Sequence, residues 1–182
     1  MPKKDSSYIF SQLDLPFLET SPDLLEEIFQ TLKDKFGLRK SSNQKLIDLG
    51  AGNGTVIIFS ALNYRIDSFG IEINPDLIEE TKRRIKMLKT AYNHEKSIIK
   101  KIKVELGDFY QKNLKLFDFV YIYTLPTMQK YLKHVFLTAR KDTIIISHKY
   151  PLNGLKFYLK LEYELKHKKI DKIIYTYFYS RL

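Results

Sequence analysis

The stretch Leu46–Thr55, reading Leu-Ile-Asp-Leu-Gly-Ala-Gly-Asn-Gly-Thr, limits this chain more than any other segment. An apolar run ends in Asp48, and Gly50, Gly52 and Gly54 then stand at every second position. That pattern fits a strand turning sharply into a helix, with a backbone bare enough for a ligand to lie against it. A dinucleotide fingerprint needs Gly-x-Gly-x-x-Gly, whereas position 55 is Thr and the third glycine arrives one residue early. Asp48 is also a poor neighbour for a pyrophosphate. The loop suits a ligand that carries positive charge and no phosphate.

The flanking sequence alternates between two periodicities. Lys45–Leu49, Ser68–Ile73, Ile102–Leu106, Phe117–Tyr123 and Thr143–Ser147 read as short buried strands. Between them, Gly54–Leu62, a long segment from Asn74-Pro75-Asp76 towards a loop near Asn93, and Gln129–Thr138 read as helices. Upstream, Ser21-Pro22-Asp23 opens a helix with Ser21 as N-cap, and Gly37 closes it. Leu24, Leu25, Ile28, Phe29, Leu32 and Phe36 form its apolar face. Strands separated by helices predict an α/β fold, a Rossmann-like doubly wound sheet. Leu155–Leu165 and Ile170–Tyr179, rich in aromatic and β-branched residues, predict a C-terminal antiparallel hairpin. The expectation is a mostly parallel seven-stranded sheet in a single domain over 21–182, preceded by an irregular segment over 1–20.

In such a sheet, ligands bind beyond the carboxyl ends of the strands. Asp48, Gly50, Ala51, Gly52, Asn53 and Gly54 follow the first strand. Glu72 ends the second, with Ile73 beside it, about 20 residues past the glycines, where a carboxylate can accept both hydroxyls of a ribose. Asp108-Phe109 follows the third, an acceptor for an adenine amine beside an apolar ring cover. Three carboxylates around one pocket repel one another unless the ligand brings cations and donors. S-adenosylmethionine brings a sulfonium, an ammonium, ribose hydroxyls and an adenine amine, and S-adenosylhomocysteine would be its product.

Composition narrows the remaining classes. The chain has no cysteine, which excludes disulfides, thiolate zinc sites and a cysteine nucleophile. His94, His134, His148 and His167 show no metal-ligand spacing, so no metal site is expected. No signal-like core and no apolar run of roughly 18–20 residues is present, which predicts a cytoplasmic protein without a membrane span. We expect it to act as a monomer. The formal charge of +10, concentrated in Lys82–Lys103 and Lys156–Lys172, leaves contact with nucleic acid open, although a lysine-rich composition alone produces such a balance.

Asp48-Leu-Gly50-Ala-Gly52-Asn-Gly54 resembles motif I of class I S-adenosylmethionine-dependent methyltransferases, and Gly70-Ile-Glu72-Ile-Asn74 resembles their acidic second motif. More narrowly, the chain is similar to the small prokaryotic broad-specificity protein-lysine methyltransferases. Those enzymes are relatives of the Dot-type histone enzymes and of those that methylate the ATP synthase c-subunit. Tyr123-Thr124-Leu125-Pro126 resembles their aromatic-Leu-Leu-Pro, and Thr143-Ile-Ile-Ile-Ser147-His148 their Thr-Arg-Val-Val-Ser-His. Thr20-Ser21-Pro22 is a looser match to the Thr-Pro that opens their first helix. Leu155 stands where the family has Trp, and the basic extension Lys96–Lys103 is also a departure.

The resemblance implies methyl transfer to a protein lysine, with Tyr123, Thr124 and Pro126 at the mouth orienting the amine. Ser147 and His148 would orient strand ends or line the acceptor channel. An RNA or small-molecule methyltransferase and a non-catalytic binding module stay open as alternatives. The chain lacks an Asn-Pro-Pro-Tyr-type motif for exocyclic base amines.

Overall fold

In the computed structural model, the protein is described over residues 19–91, 96–168 and 173–182. A seven-stranded sheet forms its centre. Its strands are β1 (Lys45–Leu49), β2 (Asp67–Glu72), β3 (Ile102–Leu106), β4 (Phe119–Ile122), β5 (Ile144–His148), β6 (Leu159–Lys168) and β7 (Ile173–Arg181). Their spatial order is β3-β2-β1-β4-β5-β7-β6. The first five pair in parallel, while β7 runs antiparallel to both β5 and β6. This is the expected Rossmann-like, mostly parallel sheet, with the hairpin inserted so that the last strand of the chain lies between β5 and β6.

The central strands are apolar on both faces because helices cover both. Leu46, Phe119, Tyr121, Ile144 and Ile146 face one layer, packing with Leu25, Ile28 and Phe29 of α1 (Pro22–Phe36) and Val56 and Ile57 of α2 (Thr55–Tyr64). Their alternate neighbours Ile47, Val120, Ile122 and Ile145 face the other, against Leu132, Val135, Phe136 and Leu152. β3 is one edge strand of the sheet and β6 the other. On β6, Lys160, Glu162, Glu164, Lys166 and Lys168 keep the open side charged and discourage further pairing.

Several boundaries differ from the sequence reading. Ser21 occupies the N-cap position of α1 with an extended backbone, but its side chain makes no capping bond. α3 (Pro75–Ala91) does receive a cap, with Asp76 N–H donating to Asn74 Oδ1 at 2.9 Å. A separate turn, α4 (Lys96–Ile99), precedes β3. The single helix expected over Gln129–Thr138 is instead two turns, α5 (Pro126–Gln129) and α6 (Lys133–Phe136). Leu155 lies in a 3-10 turn (Asn153–Leu155) that precedes β6. The loop near Asn93, the start of the run from Ile170 and positions 1–18 of the N-terminal segment lie outside the described residues. No helix among the described residues is long and apolar enough to cross a membrane.

Candidate active site

The candidate residues lie where β1, β2, β3, β4 and β5 end. Leaving β1, the chain turns through Gly50 (φ 91°), Gly52 (φ 54°) and Gly54 (φ 80°), all in the left-handed region. Gly50 and Ala51 N–H both donate to Ile71 O, at 2.9 and 3.0 Å, which ties the loop to the end of β2. Thr81 Oγ1 on α3 donates to Gly52 O at 3.0 Å. Gly70 allows the close approach: a Cβ there would lie 2.6 Å from that of Ala51. At Gly54 a Cβ would lie 2.6 Å from Thr81 Cγ2. Gly54→Ala is therefore expected to destabilise the fold by about 2–4 kcal/mol, combining left-handed strain with overpacking. In a Thr81→Ser background, which keeps the hydroxyl and removes the methyl, denaturant unfolding should recover the overpacking part and leave the strain.

Glu72 is 8 % exposed and organises this loop. Its Oε2 accepts Gly52 N–H at 2.8 Å, and its Oε1 accepts the N–H groups of Ile73 and Asn74, each at 2.8 Å. A carboxylate offers about four lone-pair directions, so most of this one is already used by the backbone. The expected acceptance of two ribose hydroxyls is thereby narrowed: one direction on Oε2 remains unless Gly52 N–H shares it. Asp48 contrasts with Glu72. It is 3 % exposed and its carboxylate has no hydrogen-bond partner among the described residues. Burial pushes its pKa well above the ordinary carboxylate range, and the charge of Glu72 adds to the rise.

A second network fixes the outer side of the loop. Glu19 Oε1 accepts from Thr55 Oγ1 at 2.6 Å and from Asn53 Nδ2 at 3.2 Å. Arg84 donates to Asn53 O and Thr55 Oγ1, both at 2.8 Å. These bonds hold the Glu19 carboxyl below its usual range. Sequence reading missed Glu19 and Arg84, since no local spacing links residues this far apart.

Asp108 Oδ1 accepts Tyr110 N–H at 2.8 Å, capping a 3-10 turn (Phe109–Gln111), so one of its oxygens is engaged in the turn. The buried Phe109 ring closes over the loop: a Cβ on Gly50 would touch its Cε1 at 3.8 Å. On the far side, half-buried Tyr123 follows β4, Thr124 is buried and bonds Met128 Sδ at 3.3 Å, and Pro126 is exposed. The Tyr123 ring meets the His148 ring edge to face, with centroids 4.9 Å apart. Ser147 Oγ donates to Tyr150 O at 2.6 Å, holding the segment after β5.

A cleft lined by Phe36, Gln44, Arg140 and Thr143 opens at the opposite, amino end of the strands. Parallel sheets bind ligands at the carboxyl ends, where the residues above converge. The donor set there fits a ligand with cations and hydroxyls. A buried carboxylate without a partner among the described residues calls for a positive group, and bare glycine backbone allows close contact.

The sequence model of the ANTKMT methyltransferase domain matches residues 48–158, more than half of the chain. Among solved structures, an RNA methyltransferase from Salinibacter ruber, in complex with S-adenosyl-L-homocysteine, superposes with a TM-score of 0.69 at 17 % identity, covering 90 % of this chain and 94 % of that one. Magnesium protoporphyrin IX methyltransferase from Synechocystis PCC 6803, with bound SAM, gives 0.65 at 12 %, over 97 % and 92 %. The B. subtilis M1A22 tRNA methyltransferase TrmK gives 0.64 at 15 %, over 91 % and 68 %. At such identities these likenesses concern the fold alone. No curated protein matches the sequence at a significant level. The chain belongs to the ANTKMT methyltransferase-domain family and is an S-adenosylmethionine-dependent methyltransferase.

Proposed function

We propose that the protein transfers methyl groups to lysine side-chain amines of proteins. In this reading Gly50, Ala51, Gly52, Asn53 and Gly54 give the cofactor a backbone bed. Asp48 faces its cationic end, Glu72 and Ile73 its ribose, and Asp108 and Phe109 its adenine. S-adenosylmethionine supplies an electrophilic methyl on a sulfonium. The protein aligns the acceptor with it and excludes water.

The observation that carries the acceptor class is at Tyr123. The ammonium of Lys149 lies 5.9 Å from the centre of the Tyr123 ring and 5.3 Å from that of Tyr150. The aromatic surface beside the site therefore already receives a lysine cation, as an acceptor lysine would require. Tyr123, Thr124 and Pro126 then orient the incoming amine. The likeness to protein-lysine enzymes at Tyr123–Pro126 and Thr143–His148 supports the same class.

Incubation with labelled S-adenosylmethionine and a cell lysate, followed by protease or nuclease, tests this directly. Label that survives nuclease and is released by protease supports the reading, and the reverse pattern makes RNA the acceptor. Tyr123→Ala is expected to lower the methylation rate about 10–100-fold, while Tyr123→Phe keeps the cation-binding ring and loses much less. S-adenosylhomocysteine affinity, measured by calorimetry, should be unchanged in both. A matching loss of that affinity would place Tyr123 in the cofactor pocket instead.

A further inference from the structure

Behind Tyr123 a chain of buried polar side chains runs from the site to the surface. His148 Nδ1 lies 2.8 Å from Thr176 Oγ1, which lies 2.9 Å from His167 Nε2. His167 Nδ1 in turn lies 2.6 Å from Glu27 Oε2. His148, Thr176 and His167 are 2 %, 0 % and 1 % exposed, whereas the Glu27 side chain is 49 % exposed. The four groups sit on β5, β7, β6 and α1, so the chain crosses the added hairpin and ends on the first helix.

For neutral imidazoles, the outermost group sets the direction of every bond. With His167 as a neutral imidazole, a carboxylate at Glu27 accepts from its Nδ1–H, which leaves His167 Nε2 as a lone pair. Thr176 must then donate to that nitrogen, which leaves its oxygen to accept from His148 Nδ1–H. His148 Nε2 is thereby left as a lone pair, and it has no partner among the described residues. We propose that His148, Thr176, His167 and Glu27 form a proton-exit relay that takes a proton from the acceptor amine at His148 Nε2 and delivers it to solvent at Glu27. This inference rests on the lysine reading for the identity of the acceptor, and on the hydrogen-bond chain with neutral imidazoles for the relay's direction.

A lysine reaches the protein as an ammonium with a pKa of about 10.4, and only its neutral form can attack a methyl group. The ammonium proton passes to His148 Nε2. The Nδ1 proton of His148 moves to Thr176, the hydroxyl proton of Thr176 to His167 Nε2, and the Nδ1 proton of His167 to Glu27, which releases it to water. The amine lone pair then forms the N–C bond as the C–S bond breaks, with both electrons remaining on sulfur. A methylammonium and the thioether product result, and one proton has left the site.

The charged and titratable surroundings keep His148 a transient carrier. Tyr121 and Tyr123 face it from β4 and the loop beyond, Lys149 follows it in the chain, and His167 approaches from β6. Burial, then His167 and Lys149, lowers its pKa to about 4, so its lone pair is free at neutral pH and a proton gained there is passed on.

Thr176→Val interrupts the relay without touching the cofactor residues. With nuclease-treated lysate as acceptor, we expect protein-bound label at about pH 7 to accumulate 10–100-fold more slowly. The deficit should shrink to less than about threefold near pH 10, where the ammonium loses its proton to solvent unaided. Glu27→Lys at the half-exposed end replaces an acceptor by a donor and should reverse both imidazole tautomers. Imidazole ¹⁵N shifts read those tautomers in the free protein with no acceptor present. Hydrogen on Nδ1 of His148 and His167 in the wild type, moved to Nε2 by Glu27→Lys, supports the relay whatever the acceptor. Wild-type label found only in RNA would remove the lysine reading alone. The relay is overturned by hydrogen on Nε2 of wild-type His148, or by a Thr176→Val deficit equal at both pH values.

Discussion

Glu72→Ala is expected to weaken S-adenosylhomocysteine binding at least about a hundredfold, which corresponds to ~2.8 kcal/mol. Two losses combine. The ligand loses the remaining acceptor direction on Oε2, and the loop loses its tie to β2, because Gly52 N–H donates to that same oxygen. Hydrogen bonds to charged groups contribute about 1.5–3 kcal/mol each, and an orphaned buried donor costs a similar amount. Asn74 is exposed and water can take over its N–H, but Gly52 is buried and has no such substitute. Glu72→Gln separates the two losses. Its carbonyl oxygen can keep the Ile73 and Asn74 bonds, while its amide NH₂ would then meet Gly52 N–H donor to donor. Calorimetry should therefore give Gln an affinity between wild type and Ala, with a thermal midpoint nearer the wild type. Equal affinity for wild type and Glu72→Ala would show that the ligand lies elsewhere.

Much of the fold is legible in the sequence because its central strands are covered on both faces. Leu46-Ile47 and Ile144-Ile145-Ile146 must be apolar at every position, and such runs between turn residues stand out. The glycine loop is legible for a related reason, since three positive φ values confine those positions to residues without a side chain. Gln129–Thr138 misled because Leu132, Val135 and Phe136 have helical spacing, yet tertiary bonds shape this segment. His134 Nε2, for example, bonds Tyr110 O at 2.7 Å. The site's second layer had no sequence signal at all. Glu27 and His167 are 140 positions apart, and Glu19 reaches Asn53 and Thr55 across more than 30. Only folding brings such pairs together. The type of Glu72 was legible, but its three backbone donors were not, because they depend on how the loop folds back over the end of β2.

Cofactor affinity is expected to rise with pH above the ordinary carboxylate range, and Asp48→Asn should remove that dependence. The sign follows from the direction of the shift. Asp48 is buried with no hydrogen-bond partner among the described residues and lies close to Glu72, so its folded-state pKa lies well above the ordinary aspartate value of 3.8. Between 3.8 and that raised value the folded protein holds a proton that the unfolded chain has released. Stability of the free protein should therefore fall as pH rises through this window, the opposite of a salt-bridged carboxylate. A ligand that places an ammonium near Asp48 favours the ionised form, so binding releases a proton and strengthens as pH rises through the same window. Calorimetry in buffers of different ionisation enthalpy counts that proton. Asp48→Asn stays neutral throughout: it should bind more weakly at neutral pH, release no proton, and unfold at a midpoint less sensitive to pH. A wild-type affinity that stayed flat across the window, with no proton released, would mean that the cation does not sit beside Asp48. The glycine loop would then hold the cofactor through Glu72 and the backbone alone.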